Sequence, residues 1–261
     1  MAGQHSRQSG GQRLALNLVY ALWTPLCAVS LWKLSQLLSG QAVPVFPSGV
    51  LLFLSVFFVY HFQHPVHRVR QWVFALLVPM FVLFVQLQFI QQVVGVVCGV
   101  LWVMYYVRWR DQLYAKPLLI AGIWVCLTHF WPLSWAAALS LWPTAVSRFL
   151  FITVLAWGYD LLDIHYDQHF NTRTLAGVWG WKRTYTVSTV MLTGAAGLLG
   201  VTHSPGWELQ SLPMAGAWML LYRLHRLTRP DAATILRWKI YLDSMMLLQG
   251  ALLIGMSAIR G

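Results

Sequence analysis

The chain has 261 residues, of which 58% are hydrophobic and only 10% are charged. Soluble domains carry about 25% charged residues, so this composition argues against an ordinary water-soluble domain. The formal net charge of +11 raises the question of nucleic-acid binding, and the distribution of the basic residues along the chain decides it.

Apolar segments recur from end to end, and several approach the roughly 17–25 residues that cross a bilayer. Residues 1–13 are rich in Gln, Gly and Ser and are predicted to be a disordered tail, whereas residues 14–261 form a single membrane domain. The sequence predicts an all-α integral membrane protein of nine helices, at about 14–38, 48–62, 73–89, 92–107, 117–134, 136–159, 184–202, 212–226 and 239–259.

The basic residues lie mainly on one side of this arrangement. Threading the helices alternately through a membrane places the N-terminal tail on one side together with four loops, at 61–72, 108–116, 160–183 and 227–238. With the adjoining helix ends, that side holds all of the 18 Lys and Arg residues except Lys33, Arg148 and Arg260. Because positively charged loops stay in the cytoplasm, the N-terminus is predicted to be cytoplasmic and the C-terminus outside. The basic excess is therefore a topology signal, and no nucleic acid is expected among the partners.

The end of the second helix and the loop after it, VYHFQHPVHRVR (59–70), are basic. Arg68 and Arg70 are suited to binding phosphate. Three histidines share the stretch: His61, His64 and His67. Their spacing is compatible with a transition-metal site, but Pro65 interrupts the helix, and ordinary histidines at the membrane interface are the simpler interpretation.

Two further charged residues lie within predicted helices. Arg148 is about 18 Å along the sixth helix from Asp160, and an arginine so deep must face a cavity or a partner, or extend to the outer surface. The sequence leaves both possibilities open. Asp243 lies just inside the ninth helix, close to Arg237 and Lys239. A structural ion pair is the favoured interpretation there, and a role in cofactor binding is the alternative.

Three of the seven acidic residues lie within eight positions, in WGYDLLDIHYDQHFNTRTL (157–175). If the sixth helix continues into this stretch, Asp160, Asp163 and Asp167 share one face within about 60° and span about 10 Å; we call them the acidic stripe. A helix C-terminus disfavours negative charge, so the stripe needs a cationic partner. The sequence offers Mg²⁺ with a substrate phosphate, or the basic side chains of Arg173, Lys182 and Arg183.

The stretch DLLDIHYDQHFNTRTL resembles the second aspartate-rich motif of the UbiA superfamily of intramembrane prenyltransferases, DxxDxxxDxxxGxxTLP. The three acids of that motif correspond to Asp160, Asp163 and Asp167. Thr174 and Leu175 match its TL, Asn171 stands where Gly is usual, and Ala176 replaces the Pro. Asn tolerates the left-handed conformation better than most residues.

The resemblance covers most of the chain, with nine helices, a cytoplasmic N-terminus and the motif after the sixth helix. RFLFI (148–152) leads into the motif as in the family. The segments YYVRWRDQLYAKPLLIAGIWV (105–125) and YLDSMMLLQG (241–250) are similar to the fifth-helix region and the last helix of small family members.

The resemblance implies a function and a set of site residues. It implies a lipid-accessible central cavity open to the cytoplasm, and transfer of an isoprenyl group from an isoprenyl diphosphate to a lipophilic acceptor, aromatic or quinone-type. Mg²⁺ would be the cofactor, held by the acidic stripe, which would be catalytic. Substrate contacts are expected from six residues: Arg68, Arg70, Arg110, Lys116, Asn171 and Arg173. The expected location is a bacterial inner membrane, among its lipids, with the site facing the cytoplasm.

One half of the family pattern is missing. The first motif, NDxxDxxxD, should end the second helix, but the chain has no Asp or Glu before Asp111. Arg68 and Arg70 could hold the diphosphate directly, with one Mg²⁺ on the acidic stripe. Alternatively, catalysis is lost, and the protein binds a lipid or quinone or is a structural subunit of a membrane assembly with protein partners.

Overall fold

The structure of the protein, a computed structural model, describes residues 2–40, 45–62, 74–109, 112, 114–169, 174–202, 207–224, 226 and 231–260. These residues are helical apart from short connections, and they contain no β-strand. Within the described ranges the principal helices are α1 (Ala2–Leu38), α2 (Ser48–Phe62), α3 (Leu77–Val85), α4 (Phe89–Met104), α5 (Ala115–Val125), α6 (Trp135–Ser140), α7 (Trp142–His169), α8 (Leu175–Val201), α9 (Trp207–Leu224) and α10 (Ala232–Arg260). A π-helical turn continues α4 over Tyr105–Trp109 and α5 over Cys126–Phe130.

The observed helices follow the predicted segments, but α8 begins at Leu175 rather than at 184 and α10 begins at Ala232 rather than at 239. Two further differences have a physical cause. The predicted segment 136–159 is divided into α6 and α7, because Pro143 is tolerated in the first turn of a helix but not in its interior. Residues 2–13, predicted to be a disordered tail, continue the backbone of α1. Adding one residue to an existing helix is far easier than nucleating a new one, so a helix can extend beyond the segment whose composition favours it.

Three of the described helices are long and apolar enough to cross a membrane: Phe89–Trp109, Trp142–Ile164 and Leu175–Val201. They are compatible with a location in a membrane. The arrangement of nine spans and the orientation of the two termini stay predictions.

Helix α7 lies at the centre of the bundle. In the most apolar 18-residue stretch of α7, 67% of the residues are buried, against 28% in that of α8 and 6% in that of α4. Helix α7 packs against α5, α8, α9 and α10. Its side chains Phe151 and Leu155 belong to the buried core. The exposed apolar surface of α4 is what a helix at the lipid boundary needs. The central position of α7 brings its charged residues, Arg148 and Asp160, into the interior.

Helices α1 and α10 lie side by side along a seam of polar and small residues. Trp23 Nε1 donates to Ser244 Oγ at 3.1 Å, and Ser30 Oγ donates to the Leu247 carbonyl at 3.2 Å. Gly250 approaches Ser30 so closely that a Cβ added to Gly250 would lie 2.6 Å from the Ser30 carbonyl oxygen. Close backbone approach at small residues and hydrogen bonds between helices are the usual means of joining helices in a membrane.

Candidate functional site

The acidic stripe lies on a continuous helix, as predicted, because α7 runs to His169. Asp160 is buried, with 2% of its side chain exposed, whereas the side chain of Asp163, one turn later, is 27% exposed. The backbone of Asp167 follows in the same helix, but its side chain is outside the described residues. The carboxylates therefore run from the interior towards the surface at the C-terminal end of α7.

A lysine from a different helix pairs with each of the two described carboxylates. Lys116 Nζ, at the start of α5, lies 2.5 Å from Asp160 Oδ1, and Lys239 Nζ, in α10, lies 2.7 Å from Asp163 Oδ2. These lysines offset the negative charge that the C-terminus of α7 disfavours. Of the three basic partners considered from the sequence, Arg183 instead lies 4.9 Å from the ring centroid of Trp179.

Asp243 belongs to a buried hydrogen-bonded network beside this site, and the predicted ion pair with Arg237 or Lys239 is wrong. Thr24 Oγ1 donates to Asp243 Oδ2 at 2.7 Å, and the Tyr159 hydroxyl donates to Asp243 Oδ1. Lys239 forms its salt bridge with Asp163 instead. Closeness in sequence to Arg237 and Lys239 suggested an ion pair, but Asp243 accepts hydrogen bonds from side chains of α1 and α7 instead.

Replacing Asp243 by Asn should destabilise the protein by about 1–3 kcal/mol, because both carboxylate oxygens accept hydroxyl protons and an amide leaves one buried group unsatisfied. Thermal unfolding of the purified protein in detergent measures the change. Asp231→Asn is the matched control, since Asp231 is exposed and its Oδ1 accepts the Thr234 N–H at the start of α10, a capping role that Asn fills as well. Equal unfolding temperatures for the two variants would contradict a buried network at Asp243.

A largely apolar cavity of about 620 Å³ lies between α2, α3, α4 and α5; we call it the apolar cavity. Its wall includes Leu51, Phe84, Trp102, Ile120 and Trp124. Polar side chains lie towards one end, where Tyr60 closes α2 and Tyr105 follows α4. This cavity lies to one side of α7, whereas the family resemblance implies a central one.

Helix α5 contributes side chains both to the wall of the apolar cavity and to the ion pair with the acidic stripe. Ile120, Trp124 and Leu127 line the cavity, and Lys116 precedes Ile120 by one turn on the same helix face, about 6 Å along the axis. The Asp160–Lys116 pair therefore lies just beyond one end of the cavity wall. At the same end, the Tyr20 ring makes an edge-to-face contact with Tyr60 at 6.1 Å between centroids.

Arg148 faces the interior of the bundle, so the alternative in which it extends to the outer surface is wrong. It is 1% exposed, and its Nη1 donates to Ser35 Oγ at 2.8 Å, to the Thr128 carbonyl at 2.8 Å and to Thr128 Oγ1 at 3.1 Å. The Thr128 carbonyl also accepts a hydrogen bond from Ser35 Oγ at 2.7 Å, so α1 and α7 both bind the π-helical turn at this end. Arg148 thus completes the C-terminal end of the α5 helix.

The structure describes some of the other predicted site residues but not all of them. Lys116 lies beside the acidic stripe and pairs with Asp160, and its contact with a substrate stays a prediction. Outside the described residues lie Arg68, Arg70, Arg110, Asn171, Arg173, His64, His67 and the side chain of His61. Thr174, which matches the motif, begins α8 as its N-cap and accepts the Gly177 N–H at 3.3 Å. Sequence analysis missed Tyr159, and it considered Lys239 only as a partner of Asp243 and not of Asp163.

The described residues contain no group of three or more His, Cys, Asp or Glu side chains that could hold a metal ion. Two carboxylates one turn apart, Asp160 and Asp163, still match the donor type that Mg²⁺ prefers when phosphate supplies the other ligands. Comparisons with models of protein families, with curated proteins and with solved structures give no match for this chain.

Proposed function

We propose that the protein binds an isoprenyl diphosphate and transfers its isoprenyl group to a lipophilic acceptor, aromatic or quinone-type, as the resemblance to UbiA prenyltransferases implies. The observation that carries this proposal is that Lys116, the partner of Asp160, precedes Ile120 of the cavity wall by one helical turn. A charged site beside an apolar pocket suits a ligand with a diphosphate at one end and a hydrocarbon chain at the other.

The hydrocarbon chain would occupy the apolar cavity. Its volume of about 620 Å³ lies within the roughly 300–1,000 Å³ of small-molecule sites, and its aromatic and aliphatic walls favour burial of an apolar chain. The polar end at Tyr60 and Tyr105 would then face the diphosphate. This orientation places the reacting carbon between the cavity and the acidic stripe.

The diphosphate would lie against the two lysines. The side chains of Lys116 and Lys239 are 21% and 20% exposed, so both are partly open to a ligand. A diphosphate carries more negative charge than a single carboxylate and would draw both ammonium groups towards itself. Asp160 and Asp163 would thereby lose their present partners.

The acidic stripe would then hold Mg²⁺. When bound, Mg²⁺ stabilises the negative charge that develops on a departing diphosphate. The chain's own part is positional: Asp160 is buried at a fixed place on the central helix, and Asp163 and Asp167 follow it towards the surface. We place the site at the cytoplasmic face of a bacterial inner membrane, in a bundle of nine spans with the N-terminus inside.

A second candidate function is favoured by the lysine pairing itself. Each described aspartate of the acidic stripe has an ammonium group within 2.7 Å, and the stretch 59–70 has no carboxylate to complete a metal clamp. In this alternative the salt bridges are permanent and the protein is not an enzyme. It would bind a lipid or quinone in the apolar cavity, or stabilise a membrane assembly.

Filling the apolar cavity should weaken binding of geranylgeranyl diphosphate about tenfold or more. Gly99 lines the cavity, and a Cβ added there meets no atom within 4 Å. In Gly99→Leu the side chain can therefore extend into the cavity and displace at least two methylene groups of the ligand, each worth about 0.8 kcal/mol. Equilibrium binding of the radiolabelled diphosphate to purified protein, with and without Mg²⁺, measures the effect.

The matched control is Gly122→Leu. Gly122 lies in α5, also has no atom within 4 Å of an added Cβ, and is not part of the cavity wall. Equal affinities for the two variants would show that the chain does not occupy this cavity. If the wild-type protein binds no geranylgeranyl diphosphate in either condition, the transferase proposal fails and the non-enzymatic candidate stands.

A further inference from the structure

One edge of the Arg148 guanidinium is buried without a partner. While Nη1 makes three hydrogen bonds, Nε and Nη2 are buried and have no hydrogen-bond partner in the structure. The hydroxyl of Thr144, one turn earlier on α7, is also buried without a partner. Residues four apart share a helix face, so these donors lie on the same side of α7.

The described carboxylates do not neutralise this arginine. Asp160 and Asp163 form salt bridges with lysines at the other end of α7, and Asp243 is held by Thr24 and Tyr159. The two other described acids, Glu208 and Asp231, are exposed. A buried charge without a counter-charge is strongly unfavourable, and in a membrane segment it normally marks a partner or a ligand.

The local dipoles supply only part of the missing negative charge. The Thr128 carbonyl offers a partial charge to Nη1, whereas the positive end of the α7 dipole, less than two turns away, adds to the repulsion. The edge formed by Nε and Nη2 is one through which arginine binds anions with two parallel hydrogen bonds. His129 is not a further anion donor in its neutral form, because its Nε2 donates to the Ala138 carbonyl and leaves Nδ1 as an acceptor.

We propose that Arg148 and Thr144 form a buried site for a small inorganic monovalent anion, for which a halide is the probe, between α1, the end of α5 and α7. Arg148 supplies the charge and two N–H donors, and Thr144 supplies a hydroxyl donor. Burial of these atoms restricts the ligand to a small ion. The anion would join three helices, a structural role separate from any chemistry at the acidic stripe.

Thermal unfolding of the purified protein in detergent tests this site. Sodium bromide or chloride is titrated against sodium gluconate at constant ionic strength, because gluconate is too large for the site. The unfolding temperature should rise with halide and saturate, by about 3 °C at ten times the dissociation constant. Thr144→Val and Arg148→Gln should abolish the rise, whereas Lys182→Gln, which removes an exposed cation, should keep it.

Two outcomes would overturn the proposal. Absence of a halide-dependent rise in the wild-type protein would assign the unpartnered donors to water. A rise that persists unchanged in Thr144→Val would place the halide elsewhere. If Arg148→Gln does not fold, Thr144→Val and anomalous scattering from bromide-soaked wild-type crystals decide the question. A bromide peak is expected between Arg148 and Thr144, and the absence of that peak would contradict the site.

Discussion

Replacing Asp160 by Asn should lower transfer of the geranylgeranyl group by about 100-fold or more while the protein stays folded. The carboxylate is buried and rigidly placed on α7, and loss of one preorganised electrostatic contact at a reacting group typically has an effect of about 10²–10³ in rate. Stability should change little, because the partner Lys116 is 21% exposed and can turn to water. Conversion of radiolabelled geranylgeranyl diphosphate to an uncharged lipid, in membranes supplied with aromatic and quinone acceptors, measures the rate.

Asp231→Asn provides the control for this experiment. It makes the same chemical change at an exposed position that starts α10 and should leave the rate unchanged. Asp163→Asn should behave like Asp160→Asn, since both residues belong to the acidic stripe. If wild-type protein converts the diphosphate and Asp160→Asn does so at the same rate, the acidic stripe is not the catalytic site.

Gly250→Ala should produce the largest loss of stability among single-methyl additions, about 1–3 kcal/mol as is typical of overpacked cores. An added Cβ would meet Ser30 Oγ at 2.0 Å and the Ser30 carbonyl oxygen at 2.6 Å. The hydroxyl can rotate away, at the expense of its hydrogen bond to Leu247, but the carbonyl oxygen moves only if α1 and α10 separate. The unfolding temperature in detergent reports the effect.

The same substitution at Gly255 provides the comparison within α10. An added Cβ at that position meets no atom within 4 Å, and Ala favours a helix over Gly, so Gly255→Ala should unfold at the wild-type temperature or slightly above it. A Gly250→Ala protein that unfolds together with Gly255→Ala would show that α1 and α10 are not in such close contact.

The sequence was sufficient to predict the helices where an apolar run ends abruptly. The predicted segment 48–62 coincides with α2, since the run begins after Pro47 and ends in the basic stretch that follows. The predicted sixth helix ended at 159, and its continuation past the apolar run was considered because it would place the acidic residues on one face; α7 does continue, to His169. The division at Leu141 was missed although Pro143 was visible in the sequence.

The partners of the acidic residues could not be predicted in the same way. Lys116 and Lys239 are 44 and 76 residues from the aspartates with which they pair, and no local spacing connects residues so far apart. Their encounter depends on how α5 and α10 pack against α7. For Arg148 the sequence showed that a partner was needed, but only the packing of α1 and the end of α5 identified Ser35 and Thr128.

The contacts of α7 also bear on the order in which the protein is assembled during synthesis. The helix carries a positive charge near its positive end and negative charges near its negative end, so both ends oppose the helix dipole. Lys116 is translated before Asp160, but Lys239 follows Asp163 by 76 residues. During synthesis Asp163 therefore lacks this partner until α10 has been made. Helix α1 also packs against α10. The contacts between the first and the last helix can therefore form only at the end of synthesis.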